Sequence, residues 1–447
     1  MRLLSSDAVL RLSRRGCSAF REAGWFAISM SDVPVTLLAL HLRYRFRLYP
    51  TGPQRRQLAR TFGCVRTVYN DCIAVRRAAY AAGEGYPSSV SLAKALIIEA
   101  KKTPEREWLS EVSAVVLQQA MRDCDRAYKN FFDSLTGRRQ GPRVGPPRFK
   151  RRASTQTVRF TKAARFRVLG NGRLRLPKIG DLTVAWSREL PSDPSSVTII
   201  KTPTGKYFAS FVVAVDDGAD LLDPLPDDAG TGIDLGLKDF AVLRDGTTID
   251  NPRFFKRLER KLKKAQRSLS RKEKGSINRA KARLRVAKVH EKITNSRSDW
   301  IHKQVCAIVA ENHSIIVEDL NVKGLQRSGM SKSIQDAAFG MFFTRLESEA
   351  ARAGRTFVTV DRFFPSTRLC SACGALTGPT GLEGLAVRRW ECGCGVSHDR
   401  DANAEKNIRA EGRRLVAAGR AETVNDSWSA GRTRRVPAQR VEAVTRP

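Results

Sequence analysis

The sequence predicts a multidomain protein that combines a mixed α/β domain, a β-rich domain and a small cysteine-bearing module. Three observations support this fold class. Strand-like and helical segments alternate between residues 229 and 411, which is typical of an α/β core. In the N-terminal half, short alternating strands lie on both sides of a long helical block, which indicates a small β-barrel with a helical insertion. Near the C-terminus, two pairs of closely spaced cysteines are typical of a metal-binding module.

The composition indicates a folded, strongly basic protein with a polyanionic partner. Of the 447 residues, 41% are hydrophobic and 7% aromatic, which is enough to build hydrophobic cores. Lys and Arg number 80 against 45 Asp and Glu, so the formal net charge is +35. Because such a surface repels itself unless an anion neutralises it, nucleic acid is the expected partner. No apolar run approaches the roughly 18 residues that a membrane-spanning helix requires, so no membrane partner is expected.

The N-terminal half is predicted to be a β-barrel interrupted by helices. Residues 41–50 alternate apolar and arginine side chains, which is typical of a strand with one buried face. Residues 51–139 follow a helical period, and residues 140–222 return to short strands separated by glycine-rich turns. Before the barrel, residues 1–40 are arginine-rich and poor in acids. We interpret them as a basic, disordered extension, with a transit peptide or a later start at Met30 as alternatives.

The C-terminal half is predicted to be an α/β domain over residues 229–363 and 397–411. A cysteine-bearing segment, residues 364–396, is inserted into it, and residues 412–447 are predicted to form a flexible tail. Residues 252–300 form a pair of helices crowded with Lys and Arg. Such a run is usually a solvated face, but cations with few acidic partners repel each other unless they face a phosphate backbone. Candidates for this contact are Lys261, Lys264 and Arg267.

Four cysteines predict a structural zinc site. Cys370 and Cys373 form one knuckle, Cys392 and Cys394 form the other, and four thiolates can surround Zn²⁺ at about 2.3 Å each. The second knuckle has one intervening residue instead of two, so His398 is an alternative ligand. Four protein ligands leave no open position on the metal, which makes the role structural.

The other cysteines are expected to be small apolar core residues rather than ligands. The total of nine is odd and the spacing is uneven, which favours a reducing compartment over a disulfide framework. The residues concerned are Cys17, Cys64, Cys72, Cys124 and Cys306.

Three acids at the edges of predicted elements form a candidate catalytic site. Asp234 lies in a Gly-Ile-Asp-Leu-Gly segment, Glu318 ends a buried strand, and Asp401 lies just before a helix. Each acid alone is more often a solvated cap. Together, at the ends of neighbouring strands, they could hold two Mg²⁺ about 3.5–4 Å apart and support phosphodiester cleavage. The polycationic character of the chain favours this joint interpretation.

With these residues in place, the chain resembles the TnpB family, transposon-encoded RNA-guided DNA endonucleases related to the compact type V CRISPR effectors. The resemblance covers about residues 43–425 and departs from the family at the second cysteine knuckle and in the N-terminal extension. The motifs that carry it are FRLYP at 46–50, TFGCVRTVYN at 61–70, AYKNFF at 127–132, PRFK at 147–150, GIDLGLKDFA at 232–241, VEDL at 317–320, FPST at 364–367 and DRDANA at 399–404.

The resemblance implies an RNase H-like (RuvC) nuclease domain with an inserted zinc ribbon, and an N-terminal wedge-like β-barrel that carries a helical recognition insert. It maps the family's catalytic, Mg²⁺-binding acids onto Asp234, Glu318 and Asp401. Glu318 is preferred to Asp319 because the family's acid directly follows the buried strand. Asp401 is preferred to Asp399 because the family's motif is Asp-x-Asn.

The resemblance also implies the partners and the reaction. A guide RNA derived from the transposon end would direct Mg²⁺-dependent cleavage of complementary double-stranded DNA next to a short flanking motif, and the protein would be a monomer with its RNA. Tyr86, Gln118 and Thr161, where the helical insert meets the barrel, are candidates for recognising that motif. The implied location is the bacterial cytoplasm, in association with the nucleoid. Three alternatives stay open: a nuclease-inactive RNA-guided repressor, a strand-transfer transposase, and a small CRISPR effector in place of a transposon-borne enzyme.

Overall fold

The computed structural model describes residues 40–139, 141–215, 222–327, 329–384 and 386–419. The predicted N-terminal extension up to residue 39 and the predicted tail from residue 420 onward lie outside these ranges. The described part of the chain contains no helix that combines the length and the apolar character needed to cross a lipid bilayer.

The N-terminal half is built on a seven-stranded antiparallel sheet. Its strands are β1 (Leu40–Tyr49), β2 (Gln156–Thr161), β3 (Arg167–Val168), β4 (Arg173–Leu176), β5 (Gly180–Ala185), β6 (Ser196–Lys201) and β7 (Tyr207–Val215). Across the sheet the order is β2-β6-β7-β1-β5-β4-β3. The strand that precedes the helical block thus lies in the middle of the strands that follow it, paired with β7 over almost its whole length. The sheet is curled, with β2 and β3 as its edge strands.

The alternation in β1 separates an apolar face from a cationic one. Phe46 and Leu48 are 2% and 1% exposed and belong to the core of this half. Because successive side chains in a strand point to opposite faces, the intervening arginines lie on the other side. There the guanidinium groups of Arg45 and Arg47 lie 3.9 Å and 5.0 Å from the ring centroid of Phe208.

Two long helices dominate the segment between β1 and β2. The α-helices are α1 (Gly52–Ala81), α2 (Ser89–Ala93) and α3 (Ala114–Leu135). The chain between them contains a π-helical segment and two 3₁₀ segments, so the helical block is less continuous than its period indicates. The long helices share a buried interface in which Arg76, with a side chain 1% exposed, donates to Asp125 at 2.6 Å.

The C-terminal half contains a five-stranded sheet in the order β10-β9-β8-β11-β12. The strands are β8 (Gly230–Leu235), β9 (Asp239–Val242), β10 (Thr248–Asp250), β11 (Ser314–Glu318) and β12 (Thr356–Val360). Strands β8, β11 and β12 are parallel to one another, whereas β9 and β10 are antiparallel to their neighbours. Parallel strands are usually covered on both faces, and the burial of residues 314–317 fits that rule.

Helices cover this sheet on both faces. The α-helices described in this half are α4 (Phe254–Ser270), α5 (Ile277–Glu311), α6 (Val322–Leu325), α7 (Ser331–Ala337), α8 (Phe339–Arg352), α9 (Gly381–Gly384) and α10 (Arg400–Ala417). One core joins strand residues such as Phe240 to α5 and α8 through Val305 and Phe342. A second core places Ile408 of α10 against Ile316 of β11. The cysteine-bearing segment adds a two-stranded ribbon of β13 (Arg389–Glu391) and β14 (Ser397–Asp399).

Two sequence-based expectations are wrong in detail. Residues 412–417 are the last turns of α10 rather than tail, because Gly412 packs so closely on β11 that an added Cβ would lie 2.4 Å from the Ile316 side chain. Cys306 is exposed on α5, with its sulfur 3.4 Å from Nδ1 of His302, whereas the other three described cysteines outside the knuckles are buried. Helix α5 is long enough to present a solvent-facing side, which a burial rule for cysteine does not take into account.

Candidate functional site

Two neighbouring strands place two acids side by side. β8 and β11 are parallel, with Ile233 opposite Val317. Asp234 and Glu318 are the next residues along each strand. Because side chains at matching positions of parallel neighbours point the same way, both carboxylates lie on one side of the sheet near the carboxyl ends of its strands. Both residues are half-buried.

Helix α10 brings the third acid to this edge. Asp399 caps the helix by accepting hydrogen bonds from the N–H groups of Asp401 and Ala402, both at 3.1 Å. One turn later, Glu405 is 1% exposed and accepts a hydrogen bond of 3.0 Å from the N–H of Gly232 on β8. Asp401 therefore lies in the first turn of a helix that is hydrogen-bonded to β8 at Gly232, two residues before Asp234.

The electrostatics of Asp234 reflect the charges of the other two acids. Burial and, after it, the negative charges of Glu318 and Asp401 raise the pKa of Asp234 from 3.8 to about 7. Arg400 and Arg388 oppose this effect. The structure therefore brings Asp234, Glu318 and Asp401 together, and their mutual repulsion is only partly compensated.

Two further residues, which the sequence analysis did not name as site residues, contact these acids. Ser366, 4% exposed, donates a hydrogen bond of 2.7 Å to Oε1 of Glu318. Burial raises the pKa of Glu318, and this hydrogen bond lowers it in part. Arg388 donates to Asp401 at 2.7 Å, and its side chain is 46% exposed. Ser366 lies in the FPST motif at 364–367 and Arg388 in no quoted motif, but no local pattern predicts either contact, because only the fold brings the elements together.

The acids adjacent in sequence have other contacts. The carboxylate of Asp319 forms an ion pair with Arg362, and both side chains are 45% exposed. The carboxylate of Asp399 is engaged at the helix cap. The acids whose charges raise the pKa of Asp234 are thus Glu318 and Asp401, not Asp319 or Asp399.

The four predicted zinc ligands form a compact cluster. The sulfur atoms of Cys370, Cys373, Cys392 and Cys394 all lie within 4.8 Å of one another. Cys370 and Cys394 are 3.8 Å apart, and Cys373 and Cys392 are 3.6 Å apart. A tetrahedron with metal–sulfur bonds of about 2.3 Å has sulfur–sulfur edges of about 3.8 Å. The spacing of the sulfurs is therefore compatible with a structural metal ion.

The cluster is supported by hydrogen bonds to sulfur. The backbone N–H of Cys394 and the Thr377 hydroxyl, at 3.1 Å, donate to Cys392 and lower the pKa of its thiol to about 6. Nε2 of His398 lies 3.0 Å from the Cys370 sulfur, and its ring packs against Trp390 with centroids 4.7 Å apart. His398 thus contacts a ligand sulfur and remains beside the group of four thiols.

Two asparagines of α10 hold the first cysteine knuckle against the helix. The Asn403 side chain donates to the carbonyl of Leu369 at 2.8 Å and accepts from the N–H of Ser371 at 3.0 Å. The Asn407 side chain donates to the carbonyls of Ser366 and Leu369 at 2.8 Å and 2.7 Å. The helix that carries Asp401 is therefore joined rigidly to the cysteine cluster.

The predicted cationic contacts lie on α4. Lys261, Lys264 and Arg267 are exposed and spaced three residues apart, and none forms an ion pair with another described residue. The acid of this helix, Glu259, pairs with Lys263 and Lys332. The three cations thus form an unneutralised surface.

The three candidate DNA-reading residues lie on separate elements. Tyr86 packs its ring against Tyr128 and Phe132, with centroids 5.9 Å and 5.7 Å apart. Gln118 is exposed on α3, and Thr161 is half-buried at the end of β2. Within the described ranges no hydrogen bond joins Tyr86, Gln118 and Thr161, so the structure does not bring them into one contact network.

The fold and the site define a class of protein: a multidomain α/β protein with a carboxylate cluster at a sheet edge and a four-cysteine cluster beside it. Three family descriptions match successive parts of the chain, "Helix-turn-helix domain" at residues 40–85, "Probable transposase" at 210–329 and "Cas12f1-like, TNB domain" at 339–408. The chain belongs to the TnpB family.

Curated relatives support this assignment, and a solved structure has a similar fold. The chain is 41% identical to a "Putative RNA-guided DNA endonuclease" from Streptomyces pristinaespiralis, over 84% of this chain and 90% of that protein. It is 30% identical to "Putative RNA-guided DNA endonuclease InsQ" from Escherichia coli, over 84% and 93% of the two chains. A Cas12f1 chain, solved in a complex with guide RNA and target DNA, matches 83% of this chain and 99% of its own with a TM-score of 0.50 and 13% identity. This last likeness concerns the fold alone.

Proposed function

We propose that this protein is an RNA-guided, Mg²⁺-dependent DNA endonuclease that cuts DNA complementary to its guide next to a short flanking motif. The observation that carries the proposal is the meeting of Asp234, Glu318 and Asp401 at one edge of the central sheet, in a chain of net charge +35. The names of the two relatives, putative RNA-guided DNA endonucleases, agree with this activity. The RuvC-like nuclease domain, the zinc ribbon and the wedge-like domain are parts of the same proposal.

The three carboxylates fit a divalent metal ion. Carboxylate oxygens are the ligands that Mg²⁺ prefers. Arg388 and Arg400 neutralise this group of acids only in part, because repulsion still helps to raise the pKa of Asp234 to about 7. Asp234, Glu318 and Asp401 would hold the ions. When bound, two Mg²⁺ activate a water molecule as the nucleophile and stabilise the leaving oxygen.

The protein's own residues prepare this site. Asp234 must release its proton before it can act as a ligand, and Arg388 and Arg400 favour that release. Ser366 donates its hydroxyl group to Glu318, which orients the carboxyl group and favours its ionised form against the effect of burial. Because nearly half of its side-chain surface is exposed, Arg388 is also available to a phosphate oxygen of the substrate.

Zn²⁺ would be held by the four cysteines in a purely structural role. With four thiolate ligands no coordination position remains for a substrate. The bonds from Asn403 and Asn407 to the first knuckle then make the metal a support for α10 and for Asp401 at its start.

The nucleic-acid partners would be a guide RNA derived from the transposon end and a double-stranded DNA target. Base pairing would supply sequence specificity, and the protein would hold the heteroduplex by its backbone. The exposed cations of α4, including Lys261, Lys264 and Arg267, are suited to this contact. We assign the flanking motif to Tyr86, Gln118 and Thr161, and replacing each with alanine should lower cleavage at that motif without lowering guide binding.

The proposal is tested by plasmid cleavage with the protein and its copurified RNA, a matching target and Mg²⁺. Asp234→Ala should abolish cleavage and retain RNA-dependent DNA binding. Glu318→Gln should behave in the same way. The matched control is Asp319→Asn, which removes the charge of the adjacent acid and should leave the rate within about twofold because an exposed ion pair contributes little. Wild-type rates for both Asp234→Ala and Glu318→Gln would overturn the assignment.

The same preparation separates two other functions. RNA-dependent DNA binding without any metal-dependent linearisation by the wild-type protein would identify an RNA-guided repressor. The family description "Probable transposase" makes strand transfer a specific alternative. Joined products after incubation with labelled transposon ends would support it, and hydrolysed ends alone would support the endonuclease.

A further inference from the structure

A cavity of about 660 Å³ lies between α1 and the segment that leads into β2, on elements that do not carry the acids. We call it the basic cavity. No Asp or Glu is among the described residues that line it. Five cationic side chains contribute to its wall: Arg66, Arg77, Arg148, Lys150 and Arg151. Its volume is typical of a site for a small organic ligand, and its charge selects an anionic one.

The wall of the basic cavity is built by specific hydrogen bonds. The Asn70 side chain on α1 donates to the Lys150 carbonyl at 3.1 Å and accepts from the Lys150 N–H at 2.8 Å. Arg77 donates to the Pro147 carbonyl at 2.8 Å. These bonds attach the segment to α1 at two points, so the backbone that carries its cations is held in place before any ligand arrives.

A further side chain fixes the turn that follows. The Gln156 amide donates to the carbonyls of Arg151 and Ser154 at 3.0 Å and 2.8 Å, and its oxygen accepts from Arg66 at 3.0 Å. The turn that carries Arg151 is thus held by bonds from one glutamine. A basic loop fixed in this way loses little conformational entropy when it binds an anion.

An aromatic ring lies among these cations. Phe149 is 46% exposed although it is a large apolar residue, and it lines the basic cavity. The Arg77 guanidinium lies 4.8 Å from the centroid of its ring. A half-exposed ring between arginines offers a flat surface for stacking next to sites for phosphate, which is the combination that single-stranded nucleic acid uses.

We propose that the basic cavity binds an unpaired nucleotide of a nucleic-acid strand, with its base stacked on Phe149 and its phosphates held by Arg148 and Arg151. The inference rests on the proposed function, because it takes nucleic acid as the partner. An acidic peptide would pair with the cations, but it does not regularly place a planar group where it could stack on the exposed ring. The guide RNA and the DNA strands share this chemistry, and the experiment distinguishes them.

The first test locates the contact. Full-length protein freed of nucleic acid is irradiated with a ten-nucleotide oligouridylate that carries one 5-iodouridine, and in a second arm with the corresponding deoxyoligonucleotide. A base stacked on Phe149 should give a crosslink in the peptide that contains it. A crosslink in the RNA arm alone assigns the cavity to RNA, one in the DNA arm alone assigns it to DNA, and one in both assigns it to unpaired strands in general.

The second test measures affinity for the same oligonucleotides, with variants matched in chemistry and position. Phe149→Leu, which keeps an apolar side chain but removes the ring, should weaken binding about 5- to 100-fold. Tyr80→Leu removes a ring that is 88% exposed on α1 and lies outside the cavity wall, and it should leave affinity unchanged.

Arg151→Ala should lower the slope of log affinity against log salt by about 0.7, the contribution of one phosphate contact on a single strand. Arg152→Ala changes the next residue, which is exposed but absent from the wall, and should change the slope less.

The inference is overturned if neither arm crosslinks to residues 148–157 and if each variant equals its control. Thermal melting of all four variants checks that they are folded. Plasmid cleavage by the wild-type protein decides the proposed function separately. If the wild-type protein cleaves the plasmid but the variants bind like their controls, only the cavity proposal is rejected. If Phe149 crosslinks but the wild-type protein does not cleave, only the proposed endonuclease activity is rejected.

Discussion

The hydroxyl group of Ser366 donates a hydrogen bond of 2.7 Å to Oε1 of Glu318. Ser366 is in turn held by Asn407, which also binds the carbonyl of Leu369 next to the first cysteine knuckle. A continuous set of hydrogen bonds thus joins the cysteine cluster, helix α10 and the acid at the end of β11. Groups that orient metal ligands in this way are often worth as much as a ligand itself.

The first prediction is that Ser366→Ala raises the Mg²⁺ concentration needed for cleavage. Loss of the donated bond removes an interaction that lowers the pKa of Glu318, so the carboxylate is less available at a given pH. We expect a loss of about 10- to 100-fold in apparent metal affinity, measured as the cleavage rate against Mg²⁺ concentration. The control is Ser371→Ala in the same loop, where the backbone N–H rather than the hydroxyl makes the bond to Asn403. Equal Mg²⁺ curves for the two variants would show that the Ser366 hydroxyl has no such role.

The second prediction concerns pH and stability without metal. The pKa of Asp234 is about 7 in the folded protein against 3.8 as a reference, so between these values the folded state holds a proton that the unfolded state lacks. This contribution to stability is complete below pH 4 and is lost as the pH rises through 7, with an upper limit of about 4 kcal/mol. Asp234→Asn cannot lose a proton there. It should therefore melt at a higher temperature than the wild type at pH 8 in the presence of chelator, and the difference should shrink towards pH 5. A melting difference that is constant from pH 5 to pH 8 would contradict the raised pKa.

The third prediction follows from the same group. Because Asp234 must lose its proton to bind Mg²⁺, the apparent affinity for Mg²⁺ should fall about tenfold for each pH unit below 7 and level off above it. Cleavage rates at several Mg²⁺ concentrations between pH 5.5 and 8.5 measure this dependence. Saturating Mg²⁺ should restore much of the rate at pH 6. A rate that stays low at pH 6 whatever the Mg²⁺ concentration would assign the pH dependence to another group.

Much of this architecture can be predicted from local patterns. Alternating side chains identified β1, and the apolar run at residues 314–317 identified β11, because period and burial are local properties of a strand. The position of β1 in the middle of its sheet is different. It depends on pairing with β7, more than 150 residues later, and no local signal encodes a partner.

In the candidate site, too, some features follow from local patterns and others only from the fold. Asp234, Glu318 and Asp401 could be named as candidates because each lies at a recognisable element boundary, and the family resemblance favoured Glu318 over Asp319 and Asp401 over Asp399. The contacts of Ser366 and Arg388 were not predicted. Ser366 lies in the FPST motif, but the motif does not reveal its partner, and an arginine in a basic chain is common; only the fold brings both residues to the acids. Tyr86, Gln118 and Thr161 stay a prediction, because an exposed polar residue becomes a contact only when its ligand is present.

The fourth prediction concerns the cysteine cluster. Protein purified without added metal should contain about one zinc per chain by elemental analysis, and Cys373→Ser should lower that content and the melting temperature. Cys306→Ser, on the exposed side of α5, should change neither. His398→Ala distinguishes the ligand sets, since it should retain zinc if the four thiolates are sufficient. Loss of zinc from His398→Ala together with full zinc in Cys394→Ser would make the histidine the fourth ligand.

The last prediction uses the closest approach between β8 and α10. A Cβ added at Gly232 would lie 2.4 Å from the backbone carbonyl oxygen of Glu405 and 3.0 Å from the backbone N of Arg409, and neither atom can move without shifting the helix. Gly232→Ala should therefore destabilise the protein by about 1–3 kcal/mol and displace Asp401, which begins the same helix. Gly63→Ala on α1 is the matched control, because an added Cβ there meets no atom within 4 Å. Alanine in the interior of a helix should stabilise it by about 0.5–1 kcal/mol, so the two variants should shift the melting temperature in opposite directions. If Gly232→Ala melted as high as Gly63→Ala and cleaved at the wild-type rate, the tight contact between helix and strand would not be what sets the position of Asp401.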